Sequence, residues 1–158
     1  MSETGAVDAL DLALIESLAA QPRLSILERS RQLGVARGTV QARLDKLQSR
    51  HIVTGFGPDL DPVALGYAVL AFVTLETDQS DLTGLTGHLE SIPEVLEAHT
   101  TSGGGDYLVK VVARTNADLQ RVLNGLLAHP TIVRTSTAIA LSTPLPMRTL
   151  PLARAASA

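Results

Sequence analysis

Residues 33–44 of the 158-residue chain read Leu-Gly-Val-Ala-Arg-Gly-Thr-Val-Gln-Ala-Arg-Leu, and this stretch decides the fold of the amino-terminal part. Gly34 can end one helix in a left-handed conformation, so that the residues after it begin another. The spacing of apolar residues predicts a helix over about 36–50. Its core side is formed by Val40, Leu44 and Leu47. The stretch therefore predicts the turn and second helix of a helix-turn-helix.

Two further helices are predicted before this one. Steps of three and four residues separate Val7, Leu10, Leu14 and Leu18. This spacing favours a one-sided helix, which Pro22 ends because proline disfavours helical backbone before it. Ser25 is a good N-cap for the next helix. Residues 52–56 alternate like a short strand at the wing position, so residues 1–56 are predicted to form a winged helix-turn-helix. A three-helix bundle without a nucleic-acid role is the alternative.

Positive charge is concentrated in this region. Between Arg23 and Arg50, seven basic residues stand against two acidic ones, a local charge of +5 in a chain with net charge −3. A helix with a cationic flank and small outer residues fits a major groove of double-stranded DNA. Base-edge contacts are expected from Arg37 and Gln41, and phosphate contacts from Thr39, Arg43, Lys46 and Arg50. The alternative is an ordinary solvated helix face.

The rest of the chain predicts a second domain. Residues 57–65 are rich in turn formers and are expected to be a hinge. Residues 66–143 show the order strand, helix, strand, strand, helix, strand, which is the ferredoxin-like βαββαβ arrangement, with Asn116 as the cap of its second helix. Residues 144–158, with three prolines, are predicted to be an irregular tail. The expected class is α+β: an N-terminal winged helix-turn-helix followed by a ferredoxin-like domain.

The first predicted strand, residues 67–75, is apolar on both faces. A sheet with two apolar faces needs two covers, and the predicted helices supply only one. The sequence therefore predicts a homodimer in which a second subunit covers the other face.

A glycine-rich loop joins the second and third predicted strands. Consecutive glycines can expose backbone N–H groups that bind an anion, and a carboxylate beside them can bind an ammonium group. Together these groups would suit an amino acid or similar small effector. The expected ligand-binding residues are Ser102, Gly103, Gly104, Gly105, Asp106 and Tyr107. The alternative is that the loop is only a turn.

Several classes of function are disfavoured by composition. The chain has no cysteine, which excludes disulfides and thiolate metal sites, and its four histidines do not pair at the spacing of metal ligands. No metal, cofactor or catalytic residue is therefore expected. The longest near-apolar run, residues 66–75, is far short of the ~20 residues of a membrane span. The acidic N-terminus lacks the basic region of a secretory signal, so a cytoplasmic protein without a membrane partner is expected.

Two motifs carry a resemblance to a known family. Residues 33–44, followed at this separation by Gly103-x-x-Asp106-Tyr107-Leu108, resemble the Lrp/AsnC (leucine-responsive, feast/famine) family of transcriptional regulators. The resemblance implies a DNA-binding regulator whose C-terminal domains dimerise through their sheets, often within octamers or larger rings. It also implies amino-acid effectors bound between subunits at the loop matching Gly103 to Tyr107.

Two positions depart from that family. Ala36 stands where the family usually has the serine that caps its recognition helix. Gly104 and Gly105 stand where many members have larger side chains. Two other functions are kept as alternatives: an enzyme of tetrapyrrole (haem) metabolism, since some tetrapyrrole decarboxylases resemble the same family, and an effector-binding module that does not bind DNA.

Overall fold

The computed structural model describes residues 7–78 and 82–157. The chain forms two compact units, one made of the chain up to Pro58 together with the stretch from Leu145 onward, and the other of Asp59–Pro144. Each unit has its own hydrophobic core. The expected α+β class is confirmed, with helices first and a sheet-based unit after them.

The first unit begins with helices α1 (Ala9–Ala20), α2 (Ile26–Leu33) and α3 (Arg37–Ser49). Capping boxes start α1 and α2, in which the side chains of Asp8 and Ser25 accept backbone N–H groups. Gly34 ends α2 with φ 67°, as its place in the sequence predicts. The core of this unit contains Leu14, Val40, Leu44 and Leu47.

The start and the end of α3 differ from an ideal helix. Ala36, at the N-cap, has no side-chain hydrogen bond to the first turn. At the other end, His51 has φ 56°, and the backbone N–H groups of Ile52 and Val53 both donate to the carbonyl of Leu47, at 2.9 and 3.2 Å. These amides are therefore used to close α3. The predicted wing strand over residues 52–56 was wrong, and residues 51–61 contain no strand.

The second unit is a four-stranded antiparallel sheet in the order β2-β3-β1-β4. Its elements, in chain order, are β1 (Val69–Thr77), α4 (Leu82–Glu90), β2 (Val95–Thr100), β3 (Tyr107–Ala113), α5 (Asn116–Leu127) and β4 (Ile132–Ile139). This is the predicted βαββαβ order. The two helices bury one face of the sheet, and the core between them includes Val73, Leu75, Leu85, Val109, Val111, Val122 and Leu126.

Helix α5 begins one residue earlier than predicted. Thr115, in extended backbone, is the N-cap, and its hydroxyl accepts the N–H of Asp118 at 3.0 Å. Asn116 is the first helical residue, so the prediction that it caps the helix was wrong. Threonine can fill this position because its side-chain oxygen reaches the same amide.

The tail is partly helical rather than irregular, which corrects the prediction for residues 144–158. Helix α6 (Leu150–Ala156) has Pro151 in its first turn, where a missing N–H costs nothing. It packs on α1, and Arg154 Nε donates to Glu16 Oε1 at 2.7 Å. Both ends of the chain therefore contribute to the first unit.

Candidate nucleic-acid interface and effector loop

The outer side of α3 carries most of the predicted DNA-binding residues. Arg37, Thr39, Gln41 and Lys46 are exposed, on the helix whose other side buries the core leucines and valine. Within residues 7–78 and 82–157, the side chains of Arg37 and Lys46 have no ion-pair partner. Arg50 is half-buried at the C-cap and makes contacts of its own.

Gln41 is oriented by its neighbour one turn later. Its Nε2 donates to Asp45 Oδ1 at 2.7 Å, in the i, i+4 geometry that brings two side chains together on a helix. The amide Oε1 is left as an acceptor, because this pair uses only Nε2. An acceptor held in a fixed direction can read a donor on a base edge.

Arg43 has a different surrounding from its neighbours on α3. Its Nη1 donates to Asp11 Oδ1 at 3.0 Å and also to Asp8 Oδ2. The pKa of Asp8 is lowered, first by the N–H of Asp11 and then by this guanidinium, and the pKa of Arg43 is raised in return. The side chain predicted to contact phosphate thus connects α3 to the start of α1.

Arg29 is a buried cation that the sequence analysis counted as part of the basic surface. It is 1% exposed, and its guanidinium donates to Ser17 Oγ at 2.7 Å and to the carbonyls of Gln21 and Leu24 at 2.9 and 3.1 Å. No carboxylate pairs with it in the described part of the chain, its Nε has no partner there, and burial lowers its pKa. It therefore ties α2 to the C-cap of α1 and to the turn that follows.

The glycine-rich loop uses part of its hydrogen-bonding capacity internally. The N–H of Gly105 donates to the carbonyl of Gly103 at 2.8 Å, and the N–H of Asp106 donates to the carbonyl of Leu75 at 2.8 Å. Two of the amides expected to face an anion are therefore occupied. Ser102, Gly103 and Gly104 are exposed, whereas the remaining loop residues are half-buried or, for Tyr107, buried.

Asp106 holds the loop onto the sheet. Its Oδ2 accepts the backbone N–H of Thr77 at 2.7 Å and the Thr77 hydroxyl at 3.0 Å. This carboxylate therefore bonds to the end of β1, and its pairing with an ammonium group stays a prediction. The sequence pattern could not predict this contact, because Thr77 lies on β1, 29 residues before Asp106.

Gly105 is required by a close approach. Its φ is 153°, and a Cβ at this position would lie 2.2 Å from Thr74 Cγ2. Gly104 has an ordinary φ, and a Cβ there would meet nothing within 4 Å. The two neighbouring glycines therefore differ: one is fixed by the sheet beneath it, and the other has room for a side chain.

The described residues contain no group of three or more His, Cys, Asp or Glu side chains arranged to hold a metal ion. In the same part of the chain, no helix combines the length and the apolar character needed to cross a bilayer.

The arrangement defines a class of protein: a helix-turn-helix unit with an outward cationic helix, joined to a ferredoxin-like unit with a glycine-rich loop. Two family models match the chain, the AsnC-type helix-turn-helix domain over residues 7–48 and the Lrp/AsnC ligand binding domain over residues 70–150. The chain belongs to the Lrp/AsnC family of transcriptional regulators.

Relatives agree over nearly the whole length. The chain is 35% identical over 146 residues to the regulatory protein AsnC of Escherichia coli K12, covering 91% of this chain and 95% of the relative. It is 30% identical over 142 residues to the proline dehydrogenase transcriptional activator of Rhodobacter capsulatus, covering 87% and 92%. Because the homologues are named as transcriptional regulators, the chain is a regulator and the enzyme alternative is set aside.

Solved structures give the same picture. The structure of Escherichia coli AsnC superposes with a TM-score of 0.83 at 32% identity, covering 92% of this chain and 99% of that one. The feast or famine regulatory protein from M. tuberculosis complexed with L-methionine superposes with a TM-score of 0.79 at 29% identity, covering 91% and 98%.

We predict that Gly105→Ala destabilises the second unit, whereas Gly104→Ala leaves it unchanged. The first substitution combines a backbone conformation that costs roughly 1–3 kcal/mol for a side-chain-bearing residue with a clash against Thr74. The second places a methyl group in open space, where substitutions stay within about 0.5 kcal/mol. Urea unfolding of both variants measures the difference. Equal midpoints for the two would contradict the close approach.

Proposed function

We propose that the protein regulates transcription by binding double-stranded DNA through the outer side of α3. The observation that carries the proposal is the pair of exposed cations, Arg37 and Lys46, on a helix whose opposite side is fixed in the core. Such a helix can enter the major groove with its first residues near the bases. We place Arg37 and Gln41 at base edges, and Thr39, Lys46 and Arg50 at phosphates. Arg43 acts by holding α3 against α1.

The proposal includes a homodimer formed through the open face of the sheet. On that face Phe72 and Leu108 keep 39% and 36% of their surface, although both lie on central strands. A second copy of the face would remove this apolar surface from water and place two α3 helices for a two-fold symmetric operator. Assembly into octamers or larger rings would extend the same unit.

We further propose that a small amino-acid-like effector, bound between subunits at the loop of residues 102–107, shifts assembly or DNA binding. The L-methionine complex of the related feast or famine protein supports this class of ligand. In this chain, Ser102, Gly103 and Gly104 are the exposed groups for a carboxylate. The effector acts by its different affinity for two assembly states. The cytoplasm is the compartment in which such a regulator works.

Lys46→Ala should weaken binding to duplexes of every sequence and reduce the slope of log K against log salt by about one unit, because one phosphate contact is lost. Fluorescence anisotropy with the promoter of the adjacent gene, at several salt concentrations, measures the slope. Arg43→Ala is the comparison: it should lower the urea midpoint by releasing Asp8 and Asp11, with little change of slope. If the wild type ignores duplex DNA at low salt, the chain is an effector-binding module instead.

Gly38→Ala should stabilise the first unit while weakening DNA binding. A Cβ at residue 38 would meet nothing within 4 Å, so the fold does not require glycine in this exposed turn of α3. Alanine is favoured over glycine in helices by roughly 0.8–1 kcal/mol. A methyl group would, however, hold the helix backbone away from DNA. Urea unfolding and anisotropy on the same variant test both halves; unchanged affinity would place residue 38 outside the interface.

Phe72→Asp should dissociate the dimer, because it puts a charge in the centre of the apolar face. Sedimentation velocity at micromolar concentration reports the mass. Leu127→Asp is a matched control, since Leu127 is similarly exposed, at 45%, but lies on α5. Loss of the dimer in both variants, or in neither, would contradict the sheet-to-sheet interface.

A further inference from the structure

A groove of about 460 Å³ lies between helix α4 and the edge strand β2. Pockets of this size hold small organic ligands. The α4 side contributes Thr86, Leu89 and Glu90, and the strands contribute Val95, Leu96, Ala98, Thr100 and Tyr107. Tyr107 is the single residue that the groove shares with the glycine-rich loop, so the groove is a separate feature of the second unit.

The hydroxyl of Tyr107 is available in this groove. Tyr107 is 9% exposed, yet its hydroxyl makes no hydrogen bond within residues 7–78 and 82–157. Buried tyrosines usually bond their hydroxyl to a partner. The oxygen is also not sealed in the protein interior, and the groove is the open space that the side chain borders. A ligand there could take the place of water at this hydroxyl.

The charge of the groove is negative. Glu90 is exposed and has no ion-pair partner in the described part of the chain, and it is the last residue of α4. Among the described residues, no basic side chain lines the groove. Glu97 borders it too, but its carboxylate bonds to Lys110 Nζ at 2.8 Å.

Glu97 also belongs to the other face of the sheet. Thr100 lies opposite Tyr107, and Ala98 opposite Val109. Because Tyr107 and Val109 are buried under the helices, Ala98 and Thr100 share that face and Glu97 points away from it. The carboxylate left to the groove is that of Glu90.

We infer that this groove binds a small organic cation, a primary amine with a short apolar body. The ammonium group pairs with the Glu90 carboxylate and donates to the Tyr107 hydroxyl, and the apolar body contacts Leu89 and Val95. An amino acid fits less well, because its carboxylate would find no cation among the lining residues. Binding here requires no DNA and, of the effector loop, only Tyr107.

Three probes of one shape test the charge preference on the full-length protein: isopentylamine, L-leucine and 3-methylbutanoate, each titrated by NMR. We expect saturable shifts with isopentylamine and at least about tenfold weaker binding of the carboxylate, a difference of about 1.4 kcal/mol. Absence of saturation with isopentylamine up to about 10 mM, or equal binding of the carboxylate, overturns the inference. We expect L-leucine to bind the groove only weakly. Strong shifts with L-leucine at the loop of residues 102–107 would concern the effector proposal and not the groove.

Three variants locate the site. Tyr107→Phe should keep the thermal midpoint, since the hydroxyl has no protein partner to lose, and weaken isopentylamine binding about fivefold. Glu90→Gln should weaken it about threefold, as expected for an exposed charge pair. Glu97→Gln is the matched control on the opposite face and should leave the affinity unchanged. Wild-type affinity in both Tyr107→Phe and Glu90→Gln overturns the assignment, as does an equal loss in Glu97→Gln.

Discussion

The burial of Val40, Leu44 and Leu47 against Leu14 is the constraint on which the candidate interface depends. Each of these side chains removes apolar surface from water, worth roughly 1.5–3 kcal/mol for a fully buried residue. Side chains project from a helix at fixed angles around its axis. Burying one side of α3 in the core therefore turns the opposite side toward solvent. The exposed positions of Arg37, Gln41 and Lys46 follow from that packing.

Two arginines of the first unit, Arg29 and Arg43, hold its helices together. Arg29 lies inside, bound to the Ser17 hydroxyl and to carbonyls of the turn between α1 and α2, and Arg43 lies at the surface, bound to two carboxylates. Both hold helices together: Arg29 joins α2 to α1, and Arg43 joins α3 to α1. The local charge of the sequence therefore overstates the positive charge on the outer surface, because Arg29 and Arg43 are already bound. Their bonds also hold the helices together, including α3, which carries Arg37 and Lys46. Position, rather than number, decides what the cations do.

Local patterns were sufficient to predict most of the fold. Capping at Ser25, the left-handed Gly34 and the order of strands and helices all follow from residues near in sequence. What could not be predicted depends on distant partners. The amides of residues 52–53 donate to the carbonyl of Leu47 and close α3, and Arg43 bonds to Asp8, 35 positions away. The tail helix α6 likewise packs on α1. The three prolines of the tail had instead favoured an irregular segment.

The glycine-rich loop shows why a motif alone does not define a binding site. A run of glycines predicts free N–H groups, but each glycine here is subject to its own constraint. Gly105 is glycine because β1 lies too close for a side chain, and Asp106 is present because it accepts two hydrogen bonds from Thr77. These constraints fix the base of the loop on the sheet. Among the exposed residues 102–104, Gly103 has φ 137°, whereas Gly104 has an ordinary φ and open space beside it, so Gly104 is the glycine that can take a side chain without backbone strain. A substitution at Gly104 therefore changes the surface of the loop and leaves its base in place, whereas one at Gly105 pushes against β1.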